Sequence, residues 1–229
     1  MASFGAFKVL WQKELDCVLG NKSLIISSFG FSLLLVVVAS FSFRQLGYGQ
    51  PELLSMTPGV VWLICLFVGV IVLNHTFVAE CEDNALHGVV LSGAKPELIF
   101  AAKCLLNLCF IFAVQLATVF LHVVFFGVDV SFSQLFSMLV VCFLGVAGLA
   151  SLGTLFSYVS VLSTAREILL PVLLFPLLIP LSAGVVSVSR QSLEMGALAA
   201  GDFWFMFLCI YDIIAFAISI LLFERLVRV

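Results

Sequence analysis

Residues 135–161 read LFSMLVVCFLGVAGLASLGTLFSYVSV, a run without one acidic, basic or histidine side chain. A helix rises about 1.5 Å per residue, so this run exceeds the ~20 residues that cross a hydrocarbon layer of about 30 Å. It predicts a transmembrane helix. Five further stretches have the same character, at approximately 24–43, 58–79, 98–126, 166–188 and 203–223, and the segments between them carry nearly all the charge. The predicted fold is an all-α integral membrane protein, six transmembrane helices forming one domain over 1–229.

The whole chain carries the same signature: 63% hydrophobic residues, 10% charged and a mean hydropathy of +1.28. Soluble domains carry roughly 25% charged residues, so the apolar excess must face lipid. The net charge of −3, with ten Lys and Arg scattered along the chain, excludes a nucleic-acid stripe. Cys17, Cys65, Cys81, Cys104, Cys109, Cys142 and Cys209 have no C-x-x-C spacing, and most lie in apolar runs where Cys acts as a small hydrophobe. The first apolar run is as long as a full span and no small-residue cleavage site follows it, so a cleaved signal peptide is not expected.

Orientation follows from the cations. With the N-terminus inside, Lys8, Lys13, Lys22, Lys95, Lys103, Arg166, Arg225 and Arg228 lie on the inner side, and only Arg44 and Arg190 lie outside. That bias predicts cytoplasmic N- and C-termini. Ahead of the first span, Phe4, Phe7, Trp11, Leu15 and Val18 recur at helical spacing, with Lys8, Gln12, Lys13 and Asp16 on other faces. The pattern predicts an amphipathic interfacial helix over about 3–19, separated from the first span by a break at Gly20-Asn21.

Some residues inside the spans depart from plain lipid filling. Gly145, Ala147, Gly148, Ser151, Gly153 and Ser157 give the fourth span a small-residue character that lets backbones approach closely. Pro171, Pro176 and Pro180 predict a kinked or broken fifth span, and freed carbonyls at such breaks line cavities in transporters. Asp212 lies near the middle of the sixth span, where an acid costs about 3 kcal/mol on insertion scales. It is expected to face the bundle, either in a hydrogen bond to a nearby Ser or Thr or on a substrate or proton path. Asp212, Pro176 and Pro180 are therefore the candidate intramembrane functional residues. His75, His87 and His122 share no spacing relation, so no metal site is predicted; His122, toward the outer end of the third span, is the weak haem candidate. No serine sits in a nucleophile elbow, and no catalytic residue is predicted.

The inner segment 80–97 reads ECEDNALHGVVLSGAKPE. Glu80, Glu82 and Asp83 suit a helix N-terminus, Leu86, Val89 and Val90 follow at i, i+3, i+4, and Pro96-Glu97 suits the first turn of the next span. A short helix with an apolar face in the cytoplasm fits a groove on a soluble partner, and its leading acids disfavour an anionic leaflet. Gly88-x-x-x-x-Gly93-Ala94-Lys95 is no phosphate loop, because Ala94 intervenes, Pro96 replaces the hydroxyl residue and no strand precedes it.

This order of parts resembles the membrane subunits of ABC-2-type ABC transporters, and within them the CcmB family, the haem exporter protein B of cytochrome c maturation. The residues that carry the resemblance are Thr57-Pro58-Gly59-Val60-Val61-Trp62, the loop from Phe77 to Pro96 with Leu98-Ile99-Phe100-Ala101-Ala102-Lys103 after it, and Phe175-Pro176-Leu177-Leu178-Ile179-Pro180. The loop departs from the family's Asp-Gly-Ser-Leu-Glu pattern, with Asp83-Asn84-Ala85-Leu86-His87 in its place.

The resemblance implies a permease subunit of a bacterial-type inner membrane, without its own nucleotide site. Its loop residues Glu82, Asp83, Leu86, His87, Val89 and Val90 would couple it to a CcmA-type ATPase that binds ATP. CcmC- and CcmD-type membrane proteins and the haem chaperone CcmE are the other implied partners, with haem as the candidate cargo of the complex and no cofactor bound directly. The Trp-rich haem-handling motif belongs to CcmC and does not occur here, so the chain is expected to transmit ATP-driven movement rather than to grip haem. A second permease half, as homodimer or mixed dimer, is expected because six spans make one half of an ABC transporter. Two other readings stay open at this point: an ABC-2 exporter subunit for a lipid, drug or polysaccharide, and a non-transporting scaffold of a haem-delivery complex.

Overall fold

A computed structural model describes residues 2–78, 95–198 and 200–227. The described residues form seven helices and no strand: α1 (Ala2–Gly20), α2 (Lys22–Gln45), α3 (Gln50–Asn74), α4 (Pro96–Phe126), α5 (Phe132–Val161), α6 (Arg166–Met195) and α7 (Phe203–Val227). The six from α2 to α7 are long and apolar enough to cross a membrane.

Local chemistry sets the helix ends. Asn21 alone separates α1 from α2, and its side-chain oxygen accepts the Leu24 N–H at 3.0 Å, capping α2 where Gly20-Asn21 predicted a break. Gly47, at φ 72°, takes the left-handed turn between α2 and α3, and Gly127, at φ 63°, closes α4 with its N–H on Val123 O. Ser131 and Gln134 form a capping box that starts α5.

Two expectations need correction. The second span does not run over 58–79: α3 opens at Gln50 with Pro51 in its first turn and ends at Asn74. Pro58, read as the opener, lies inside the helix, where the Thr57 hydroxyl bonds Leu53 O at 2.9 Å. Nor is the fifth span broken, because α6 continues through Pro171, Pro176 and Pro180 as one helix. Two side chains add hydrogen bonds to carbonyls of the same helix: Tyr211 Oη donates to Leu177 O at 2.6 Å, and Ser182 Oγ to Leu178 O at 2.7 Å.

The centre of the bundle is α5, which touches α3, α4, α6 and α7. Its small residues allow this. A Cβ on Gly145 would stand 2.7 Å from the Trp62 ring and 2.6 Å from Val185, and Gly153 faces Leu73 just as closely. Ser157 Oγ donates to Leu73 O across the same contact at 2.5 Å. Around α5 the fully enclosed Leu73, Leu149, Leu170, Leu174, Leu181 and Leu208 form the core, whereas Ile168, Ile179, Phe203, Ile213 and Leu221 are exposed, as lipid-facing residues must be. Polar ties join the outer spans: Ser32 Oγ to Thr118 Oγ1 at 2.6 Å, Ser40 Oγ to Phe125 O at 2.9 Å and Gln115 Nε2 to Val61 O at 3.2 Å.

Candidate functional site

The six loop residues singled out from sequence, Glu82, Asp83, Leu86, His87, Val89 and Val90, lie outside the described residues. Both roots of the loop are described. On one side α3 stops at Asn74, and the chain turns through His75, whose N–H bonds Val72 O at 3.1 Å, and Thr76, whose N–H bonds Leu73 O at 3.2 Å. On the other, Lys95 is extended at φ −70°, ψ 130°, as a residue before proline must be, and Pro96-Glu97 opens α4.

The roots are anchored in the bundle. Phe77 is fully buried, 5.4 Å from the Tyr158 ring of α5 and 5.8 Å from the Phe223 ring of α7. Phe100, one turn into α4 and equally buried, lies 5.3 Å from Phe223. Four rings from α5, α7 and the two loop roots thus form one aromatic cluster, and offset or edge-on ring pairs add about 0.5–1.5 kcal/mol each beyond area burial.

Beside this cluster is a buried ion pair. Lys103, counted from sequence as an inner-side cation, sits within the bundle with only 2% of its surface exposed, and its Nζ donates to Glu14 Oε2 at 2.8 Å and to Thr76 O at 3.0 Å. The ammonium also stands 4.7 Å above the Phe77 ring. Glu14 reaches this place because Phe7, Trp11, Leu15 and Val18 turn one face of α1 toward the bundle, and Glu14 borders that face on the side of Leu10. The polar chain continues inward. Thr76 Oγ1 meets Asn107 Oδ1 at 3.2 Å, Asn107 Nδ2 donates to Thr154 Oγ1 on α5 at 2.9 Å, and Thr154 bonds back to Ala150 O at 2.7 Å. A small pocket of about 50 Å³ opens among Asn21, His75, Thr76, Lys103 and Asn107.

The structure does not bring the intramembrane candidates together. Pro176 and Pro180 lie on the exposed face of α6. Asp212 lies on α7 facing α5, its Oδ1 only 2.6 Å from where a Cβ on Gly148 would stand. Both carboxyl oxygens are buried and have no hydrogen-bond partner among the described residues. Of the two roles considered for Asp212, the bond to a Ser or Thr is not made among the described residues, and Ser151, which lines the same recess, donates to its own helix at Ala147 O, at 2.7 Å. An apolar recess of about 330 Å³ runs beside Asp212, lined by Phe7, Cys104, Leu108, Ser151 and Phe216 among others.

His75 is exposed at the end of α3. His122 is enclosed: Nε2 meets Thr57 Oγ1 at 3.0 Å and the ring stacks on Phe126 at 3.9 Å, so this imidazole ties α4 to α3 and presents no nitrogen at a surface.

Glu14, Asn107 and Gln115 escaped the sequence reading. Glu14 carried a partial signal, since it borders the apolar stripe 7, 11, 15, 18 on the side where Leu10 extends it, whereas Lys8 borders the opposite edge. Lys103, a lone cation about two turns into α4, is its counterpart in the structure.

Comparison with known families agrees with this arrangement. The chain matches the family described as CcmB protein over residues 5–229, nearly its whole length. No curated protein matches it. An all-helical, multi-pass chain with six membrane-crossing helices is what such a permease subunit requires, and it belongs to the CcmB family, the membrane component of the haem exporter for cytochrome c maturation.

Proposed function

We propose that this chain is the permease subunit of an inner-membrane complex in which a CcmA-type ATPase docks on the loop around Leu86, Val89 and Val90 and moves the bundle through it. The observation that carries the reading is the anchoring of both loop roots: Phe77 and Phe100 are fully buried against Tyr158 and Phe223. A segment tied to α5 and α7 at both ends cannot shift without shifting them, since close-packed interiors transmit displacement rather than absorb it. Docking would bury the apolar residues Leu86, Val89 and Val90, with Glu82, Asp83 and His87 beside them in sequence.

In this reading ATP is bound by the partner, and the subunit itself carries neither nucleotide nor haem. CcmC- and CcmD-type proteins complete the complex, which releases the haem-loaded chaperone CcmE, and a second permease half completes the pathway between subunits. Asp212, Pro176 and Pro180 then belong to the moving part of the bundle rather than to a cargo site. His122, with its ring covered by Phe126, acts as a tether and not as a haem ligand.

Replacing Leu86 and Val89 together by Asp places two charges in the docking face. The ATPase should then be lost from pull-downs of the tagged chain while the amount of chain in the membrane is unchanged. Full recovery of the ATPase with the double variant would overturn the proposal.

A further inference from the structure

We infer that Glu14 is a positioning residue for coupling: through Lys103 it makes the interfacial helix α1 a moving part of the loop that receives the ATPase. The inference rests on the docking reading above and extends it to a segment far away in sequence.

One ammonium joins three pieces of chain. Lys103 stands on α4, seven residues after Pro96; it bonds Thr76 O in the root that follows α3, and it bonds Glu14 on α1. The loop is therefore clasped at its base, and the clasp includes α1. Glu14 is only 7% exposed and Lys103 2%, so water screens the pair little, and separating it would leave two charges in a low-dielectric place. Displacement of the loop roots must carry α1 with them.

The charge has a role that apolar residues could not fill. Well-packed hydrophobic side chains replace buried ion pairs at equal or better stability, so holding α1 against α4 does not require Glu and Lys. What the pair adds is direction, because the lysine's remaining donor geometry fixes the Thr76 carbonyl, and the Thr76 hydroxyl continues through Asn107 to Thr154 on the central helix. The other face of α1 carries Lys8, Gln12, Lys13 and Asp16, all exposed. Movement of the docked ATPase would thus be spread over α1, α4 and α5 together.

The decisive variant replaces both partners, Glu14→Leu with Lys103→Met, which removes both buried charges together, leaves the exposed Lys13 that stands 3.6 Å from Glu14 in contact with water, and keeps the apolar side of α1 against α4. It is measured in the assembled membrane complex with its ATPase, reading chain level, ATPase recovery in pull-downs, ATP hydrolysis, and haem attached to a reporter c-type cytochrome. The variant should accumulate, hold the ATPase and hydrolyse ATP, while haem attached per ATP falls by about tenfold, within the usual range for coupling between sites. Lys103→Arg, which keeps charge and donors, should stay near the parent value.

Parent-level attachment per ATP in the double variant would overturn the inference. So would its failure to accumulate, which would make the pair a folding element only. Failure of the docking reading is distinguishable, because it shows as undiminished ATPase recovery with Leu86→Asp/Val89→Asp, whatever the Glu14 variant does.

Discussion

Gly145 lies where α5 passes between α3 and α6, and replacing it by alanine sets the size of the close approach at the centre of the bundle. The new methyl would stand 2.7–2.8 Å from two atoms of the Trp62 ring and 2.6 Å from Val185 Cγ2. Neither neighbour can yield cheaply, since Trp62 is 3% exposed and Val185 2%, and a β-branched side chain in a helix has one preferred rotamer. Overpacking of this kind costs about 1–3 kcal/mol, and the upper part of that range applies where both neighbours are rigid. Alanine returns about 1 kcal/mol over glycine in a helix interior, which leaves a net loss of about 1–2 kcal/mol. At about 2–4 °C per kcal/mol for a chain of this size, the unfolding midpoint of the purified protein in detergent should fall by roughly 2–8 °C.

Gly59 supplies the control, because a Cβ there meets nothing within 4 Å and Gly59→Ala should leave the midpoint unchanged or slightly raised. Combining Gly145→Ala with Trp62→Phe removes the ring atoms that clash, together with a buried indole N–H that has no partner among the described residues, and should restore part of the loss. A Gly145→Ala protein as stable as Gly59→Ala would refute the reasoning. The same contact also gives a physical sense to Pro58-Gly59-x-x-Trp62: the tryptophan of that element is the face on which α5 rests.

Asp212→Leu should raise the unfolding midpoint, because it exchanges a buried carboxyl without a partner for an apolar side chain of similar length at a depth where an acid costs about 3 kcal/mol; a lower midpoint would show that the carboxyl is satisfied in the protein. Haem attachment measured on the same variant shows whether the acid serves the moving bundle. His122→Phe keeps the stack on Phe126 and loses one hydrogen bond, worth about 1 kcal/mol, since Thr57 still bonds Leu53 O. It should preserve haem attachment, and a loss of attachment in a variant of parent stability would mark the imidazole as a cargo ligand.

What could be read along the chain was whatever depends on neighbours in sequence. Six membrane-crossing helices and an N-terminal helix ending at Gly20-Asn21 followed from apolar runs, a cap and a break, all local. The start of α3 was misplaced because Pro51 and Pro58 both qualify as first-turn prolines, and only tertiary packing of Leu53 and Thr57 shows that the helix is already formed between them. A break in α6 was over-read from three prolines: each removes one backbone donor, opposite the carbonyls of Glu167, Val172 and Pro176, and a long helix packed on α5 and α7 keeps its course through such gaps. Asp212 was conspicuous as an acid in an apolar run, yet nothing local shows that Ser151, which lines the same recess, bonds its own helix. The Glu14–Lys103 pair joins residues 89 positions apart, and such pairings cannot be seen from either end alone.

That separation bears on how the protein is made. As the chain is synthesised, α1 is made before α4, so Glu14 has no Lys103 to pair with until α4 has been inserted. Once α1 closes over it, the same lysine is neutralised inside the bundle. The contact that fixes α1 thus waits on a helix made much later, and α1 can take its final seat only after α4 has taken its own.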